Sequence, residues 1–340
     1  MTDLDFELPE TLAATAPPPH RDRVRLLVAG RTGIRHARFD ELASFLAPGD
    51  LVVVNTSATL AAALDGRRAD GRAVTVHFAT ALDDGAWLVE LRPRHGATGP
   101  LPDVAAGERI ELPDGVLLTV LAPGSAEQGV PRLWRAGVAL EGDVVSYLAR
   151  TGRPIRYGYV PEPYPLAEYQ TVFARQPGSA EMPSAGRPFT AQLVTDLAVR
   201  GIAVAPVLLH TGVSSQEAGE APLPERFEVA GTTARLVNAT RAWGGRVVAV
   251  GTTVTRALES AADCDGTVHA RAGWTDLVLG PQRPARVVGG LITGWHAPGA
   301  SHLQLLHAVA GAELVRRAYA AALRHRYLWH EFGDSCLLLP

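Results

Sequence analysis

Two runs of consecutive apolar residues, Leu51-Val52-Val53-Val54 and Val247-Val248-Ala249-Val250, constrain this chain more than any other feature. A strand with one wet face alternates apolar and polar residues. A run with no polar position must be covered on both faces, as in the middle of an α/β sheet. The second run leads into Gly251, then Thr252, Thr253 and Thr255, then Ala257-Leu258-Glu259. Gly251 permits a tight turn, and the threonines offer hydroxyls and backbone N–H groups at a helix start. Val247 to Ala262 therefore reads as strand, turn and helix, the kind of junction at which an α/β protein presents a ligand. Hydroxyls also cap helices that bind nothing, so the junction alone leaves both readings open.

The same rhythm recurs on either side of a break. Before it, Arg25 to Val28 reads as a strand, Gly30 to Gly33 as a turn and Ile34 to Phe39 as a second strand. Asp40 is placed to cap a helix over Glu41 to Leu46, ended by Pro48-Gly49-Asp50. From about Leu64 the texture changes to short strand-like runs, Val74 to Phe78, Ala86 to Leu91, Arg109 to Leu112 and Val116 to Leu121, divided by turn signals such as Asp83-Asp84-Gly85. That spacing suggests a small barrel or sandwich. After Thr190 helices over Ala191 to Arg200, Thr233 to Trp243, Ser301 to Ala310 and Ala312 to Arg326 alternate with strands. Those strands are Ile202 to Leu209, the Val247 run, Thr275 to Leu279 and Val287 to Thr293. The fold class expected is α/β: a mostly parallel sheet domain with helices (residues 1–63 and 145–340), interrupted by an inserted small β-barrel-like domain (residues 64–144).

Composition narrows the function. The formal charge of −3, from 32 basic and 35 acidic residues, supplies no global positive field for nucleic acid, so any RNA contact must be a local patch. The sequence has no lysine; every basic residue is arginine. Cys264 and Cys336 make neither a metal-ligand spacing nor a disulfide framework, which fits a reduced, cytoplasmic setting. The acidic start MTDLDFELPE lacks an apolar signal region and no run of 18 apolar residues follows, so neither export nor a membrane is expected. A glycine-rich dinucleotide turn, a phosphate-binding P-loop, an HExxH zinc motif and a GxSxG elbow are all missing.

In such a sheet ligands gather at the carboxyl ends of the strands. Four strand ends carry small or polar residues there: Asn55-Thr56-Ser57, His210-Thr211-Gly212, Gly251-Thr252-Thr253 and Thr293-Gly294-Trp295-His296. Imidazoles at two of these tips suit proton transfer near neutral pH, although a histidine at a loop start also serves as a structural hydrogen-bonding group. Glu168-Tyr169-Gln170-Thr171, Gly178-Ser179 and Pro183-Ser184-Ala185-Gly186 lie in a loop-rich stretch too long for a mere connection. Glu225 could supply a carboxylate or a solvated charge, and Asp334 a buried anchor or a site residue.

Many ordered segments, among them DFELPETLAATAP, PGDLVVVN, WLVELRP, EYQTVFARQPGS, PSAG, LLHTG, GGRVVAVGTTVTRALESAA, VVGGLITGWHAPG, HAVAG and RYLWHEFGD, carry a further reading. Nearly end to end, the chain resembles the bacterial S-adenosylmethionine:tRNA ribosyltransferase-isomerase family of queuosine biosynthesis. The resemblance implies an α/β domain interrupted by a β-barrel-like domain. It also implies S-adenosylmethionine as a ribosyl donor and co-substrate, with no metal. The ribosyl part would pass to the aminomethyl group of a 7-deazaguanine in a tRNA anticodon and rearrange to an epoxycyclopentane, with release of adenine and methionine. Because the sulfonium acidifies adjacent C–H bonds, a positioned base can start such a reaction.

On this reading His210 and Glu225 are the candidates for proton transfer, and His296 is the third catalytic candidate, holding substrate or adenine. Asn55, Tyr169, Gln170, Ser184, Gly186, Gly251, Thr252, Thr253, Arg256 and Asp334 form the expected donor-binding set. The departures from the family pattern fall in polar loops. No arginine occurs in Thr56-Ser57-Ala58 or Ala62-Ala63-Leu64, and Arg187-Pro188-Phe189 lacks the usual histidine. Gly212-Val213-Ser214-Ser215-Gln216 replaces a glycine-rich loop, and Gly294-Trp295-His296-Ala297-Pro298 and Tyr327 to Asp334 are altered. Retained scaffold with changed loops is the pattern of an altered substrate, so a small-molecule acceptor or a silent nucleoside- or RNA-binding role stand as alternatives to tRNA.

Overall fold

The computed structural model describes residues 6–94, 99–124, 131–213 and 223–340. Ser214 to Gln216, in the altered loop after His210, lie outside them, as do residues 1–5. In chain order the strands begin with β1 (Arg25–Gly30), β2 (Gly33–Arg38), β3 (Leu51–Asn55) and β4 (Ser57–Thr59). Then come β5 (Ala63–Arg68), β6 (Ala73–Ala81), β7 (Trp87–Pro93), β8 (Arg109–Glu111), β9 (Leu117–Pro123) and β10 (Leu133–Ala139). Helix α1 (Val144–Thr151), β11 (Gln176–Ser179), α2 (Ala191–Val199), β12 (Ala203–Leu209) and β13 (Glu225–Val229) follow. The last part holds α3 (Gly231–Ala242), β14 (Val247–Val250), α4 (Thr252–Ser260), β15 (Arg271–Thr275), β16 (Gly290–Thr293), α5 (His302–Ala310), α6 (Ala312–Arg324) and β17 (Ser335–Leu339).

Among the described residues, β15-β13-β12-β3-β14-β16-β17-β1-β2 form one sheet, β10-β7-β6-β5-β8-β9 close into a barrel, and β11 pairs with β4. The sheet is mixed, which corrects the expectation of a mostly parallel one. Parallel pairing holds for β12, β3, β14 and β16 at the centre and for β17 with β1. The pairs β1/β2, β12/β13, β13/β15 and β16/β17 are antiparallel. The β1–β2 turn leaves no room for a crossover helix, and a short reversal can join only antiparallel strands.

Both apolar runs are covered on two faces. Leu51 and Val53 join a core cluster with Val254, Leu258, Leu303 and Leu306, while Val52 and Val54 join Phe39, Phe189, Leu193 and Leu197 on the opposite side. The barrel fills its own interior with Val74, Val76, Phe78, Val89, Leu91, Ile110, Leu118 and Val120. Cys264 is exposed and Cys336 is buried in β17. No described helix is long and apolar enough to cross a membrane.

Several elements differ from expectation for local reasons. Phe39–Phe45 is a 3-10 helix, with Asp40 inside it and paired to Arg23 at 3.1 Å. Strand β16 begins at Gly290 because the N–H groups of Arg286, Val287 and Val288 donate to the buried Glu259 carboxylate at 2.9–3.1 Å. The Thr275 to Leu279 segment leaves the sheet after Thr275, where the Leu277 carbonyl accepts from Arg256 Nε at 3.1 Å.

Candidate active site

Parallel pairing puts the ends of β3, β12, β14 and β16 on one edge of the sheet. Asn55, at the tip of β3, is 4% exposed and clamps β12: its Nδ2 donates to the Leu209 carbonyl at 2.8 Å, and its Oδ1 accepts from Leu209 N at 3.0 Å. The same Oδ1 accepts from Ser57 N at 3.1 Å, and Nδ2 stands 3.5 Å from Thr253 Oγ1. Asn55 therefore fixes the chain just ahead of His210 and reaches the start of α4.

The His210 ring is held by hydroxyls. Its Nδ1 lies 2.7 Å from Ser57 Oγ, which lies 2.6 Å from Ser179 Oγ, which accepts from Thr211 N at 3.0 Å. Gly178 packs so tightly on the ring that a Cβ there would collide with Nδ1, Cε1 and Nε2. Burial, aided by the positive charge of Arg226, lowers the His210 pKa to about 4, so the imidazole is neutral at pH 7. Ser57 and Ser179 stand in the strand tip and the loop stretch noted from sequence, but neither is in the expected set of site residues. A serine two residues past a strand gives no signal of the histidine it meets 153 positions later.

Glu225 opens β13 and is brought to the same edge through the Gly212 N–H, which donates to Oε1 at 3.3 Å. It is ion-paired with Arg256 of α4. Burial raises the Glu225 carboxyl above its ordinary range, against the lowering effect of Arg256. Arg256 is also spent on the carbonyls of Leu277, Thr275 and Leu223, at 3.1, 3.0 and 3.3 Å. It locks α4 to the β13–β15 side of the sheet.

The β14–α4 junction turns at Gly251, whose φ of 92° and ψ of 162° are open only to glycine. An added Cβ would sit 3.3 Å from the Ala185 Cβ, so the Ser184–Gly186 turn packs directly on the junction. Among the described residues no side chain caps the start of α4, and Thr252 and Thr253 are half-buried beside it. Ser184 and Asp334 share a cleft with Val24, Arg187, Gly294 and Glu331. Asp334 itself is an anchor, accepting from Arg25 N and Nε at 2.7 and 3.0 Å and from Leu328 N at 2.7 Å.

At the end of β16, His296 Nε2 lies 3.1 Å from Thr293 Oγ1 and its ring stacks on His302, centroids 4.6 Å apart. Burial first, then His302 and His330, hold His296 well below the usual histidine range. His302 is pushed to about 4 by burial and by Arg256. His330 has a φ of 74° and stacks on Tyr159 at 4.0 Å; the Tyr159 hydroxyl donates to Glu331 at 2.6 Å. Sequence reasoning missed His302, His330 and Glu331, although the last two stand in RYLWHEFGD.

Tyr169 packs on Phe332 at 5.2 Å and is pushed up to about 12 by burial and Glu331. Gln170 pairs its amide with both backbone groups of Thr59, at 3.0 and 2.8 Å. Gly186 is buried, with Thr171 Cγ2 3.3 Å from where a Cβ would stand. Among the described residues no cluster of three or more His, Cys, Asp or Glu side chains is arranged to hold a metal.

The model of the queuosine biosynthesis protein family matches residues 1–338. This chain belongs to that family. Proteins similar to it include the S-adenosylmethionine:tRNA ribosyltransferase-isomerase of Symbiobacterium thermophilum, 37% identical over all of this chain and 99% of that protein. The enzyme of the same name from Moorella thermoacetica is 36% identical over 99% of each chain. A crystal structure of the S-adenosylmethionine tRNA ribosyltransferase from Thermotoga maritima is 29% identical, with a TM-score of 0.55, covering 98% of this chain and 99% of that one. The family match spans the sheet, the barrel and all four strand tips.

Proposed function

We propose that this family member is a transferase and isomerase that uses S-adenosylmethionine as ribosyl donor to the 7-aminomethyl-7-deazaguanine of a tRNA. The products would be epoxyqueuosine, adenine and methionine, and the setting the cytoplasm. The observation that carries the reading is one edge of the sheet bearing His210, Asn55, Thr253 and Glu225 together, in a chain that matches the family over residues 1–338. On this reading residues 1–63 and 145–340 form the catalytic domain and residues 64–144 an inserted domain.

The chemistry available at the edge suits such a donor. The start of α4, uncapped among the described residues, leaves backbone N–H groups for a carboxylate or hydroxyl. Gly251, Thr252 and Thr253 are assigned to the donor, with Ser184 and Gly186 on the opposing turn. Asn55, Tyr169, Gln170, Arg256 and Asp334 support it by fixing the elements on which it rests. The groups at this edge able to exchange or share protons are His210, Glu225 and His296. The donor's own sulfonium acidifies the C–H bonds beside it, so a positioned base suffices and the reading calls for no metal.

Incubation with S-adenosylmethionine, with and without tRNA bearing the modified base, tests the proposal. Adenine and methionine released only with the tRNA is the expected result. Release with a small-molecule acceptor alone, or binding with no turnover under either condition, would overturn it.

A further inference from the structure

The hydrogen-bond chain at His210 has a direction. Thr211 N–H is a fixed donor and reaches Ser179 Oγ at 3.0 Å. Ser57 and Ser179 are both 0% exposed, and each hydroxyl must place its single proton on an acceptor. If Ser179 donates to Ser57 Oγ at 2.6 Å and Ser57 donates to His210 Nδ1 at 2.7 Å, every proton in the chain is satisfied. Reversing the chain makes Nδ1–H the donor to Ser57 and Ser57 the donor to Ser179. The Ser179 proton is then left without an acceptor among the described residues, which is a costly outcome in a buried site.

We infer that Ser57 and Ser179 are positioning residues that hold neutral His210 with its proton on Nε2, so that it presents a hydrogen-bond donor, not a base, at the sheet edge. The functional half of this rests on reading that edge as the active site. Nε2 makes no hydrogen bond among the described residues, so it is available to an acceptor atom of a ligand, such as a carboxylate, an ether oxygen or a purine ring nitrogen. Nδ1, the basic nitrogen of this tautomer, faces the Ser57 hydroxyl, on a residue with no solvent exposure. Gly178 under the ring keeps it from swinging out of this register. The low proton affinity of the buried ring agrees with a group that stays neutral through turnover. Proton abstraction then falls to another group at the edge, with Glu225 and His296 the candidates.

Long-range 15N–1H correlation spectra of the labelled, ligand-free protein test the tautomer directly. The His210 resonances are identified by their loss in His210→Gln and independently by their movement in Ser57→Ala, so one unfolded variant does not block the assignment. A protonated Nε2 and an unprotonated Nδ1 across pH 6 to 8 are expected, with Ser57→Ala giving a tautomer mixture. A protonated Nδ1, or an unchanged tautomer in Ser57→Ala, would overturn the inference whatever the enzyme assay shows. In that assay His210→Gln, which keeps a donor near Nε2, should retain turnover within about tenfold while His210→Leu loses about 100-fold or more. Equal loss in both would reject the donor role. Because the spectra need no substrate, failure of the proposed reaction and failure of the tautomer are separable.

Discussion

Gly178 and His210 are in such close contact that the imidazole lies against bare backbone, with no room for even one methyl group between them. The contact turns a flexible glycine into a wall for the ring. Because Ser57 also holds the ring at Nδ1, the ring cannot yield without disturbing that bond.

Gly178→Ala should therefore push the ring out of register. Overpacking of this kind costs about 1–3 kcal/mol, and an ångström-scale displacement of a site group costs about 100-fold in turnover. Thermal denaturation together with adenine release checks both. Full activity in the variant would mean that the ring tolerates displacement.

Arg256→Met should destabilise the protein by about 3–5 kcal/mol, because it strands the Glu225 carboxylate and three carbonyls that the guanidinium now satisfies. Glu225→Gln should cost less, since the Arg256 guanidinium, though it loses its counter-charge, still donates to three carbonyls. Urea denaturation of the two variants gives the comparison. Loss under about 1 kcal/mol in Arg256→Met would show that the pair does not lock α4 to β13.

Thr253→Val keeps the shape of the side chain and removes its hydroxyl. Titration calorimetry should show S-adenosylmethionine binding about tenfold more weakly, equivalent to about 1.4 kcal/mol. An unaltered dissociation constant would place Thr253 with the scaffold alone. Gly251→Ala should both weaken binding and lower stability by about 1–3 kcal/mol, since alanine does not adopt a φ of 92° with a ψ of 162° without strain.

Acid should destabilise the fold through its buried histidines. His210 and His302 titrate at about 4 when folded, against an ordinary value of about 6.5 when unfolded, and His296 is lowered further. Between these values the unfolded chain binds more protons than the native one, so stability falls as the pH drops from about 6.5 to about 4 and levels off for these two below that. Melting temperatures recorded across this range should show the fall. His302→Gln should flatten the slope by up to about one proton. An unchanged slope would mean that burial does not lower the proton affinity of His302 in the folded protein.

The two uninterrupted apolar runs were legible as central strands because their composition admits no other placement, and short strands at even spacing were legible as a β unit. What remained hidden was set by partners distant in sequence. Leu51 to Val54 announce burial on both faces, but nothing in them says that Ala203–Leu209 and Val247–Val250 will be their neighbours. Strand β17 inserts between β16 and β1, antiparallel to one and parallel to the other, and adds to the mixed character that β2, β13 and β15 also give the sheet. Val287 and Val288 have the composition of a strand but spend their N–H groups on Glu259, a competition that local pattern does not reveal.

The candidate site divides in the same way. Sequence by itself determined the family, the two-sided burial of the central strands and the polar residues at their tips, because these depend on residue type and local spacing. Only the tertiary structure decided what those residues do. It spends Asn55, Gln170, Arg256 and Asp334 on holding elements together, and it links Thr211, Ser179 and Ser57 into a chain that ends on one nitrogen of His210. A hydroxyl's direction of donation depends on every partner within hydrogen-bond reach, and those partners exist only once β4, β11 and the end of β12 have come together.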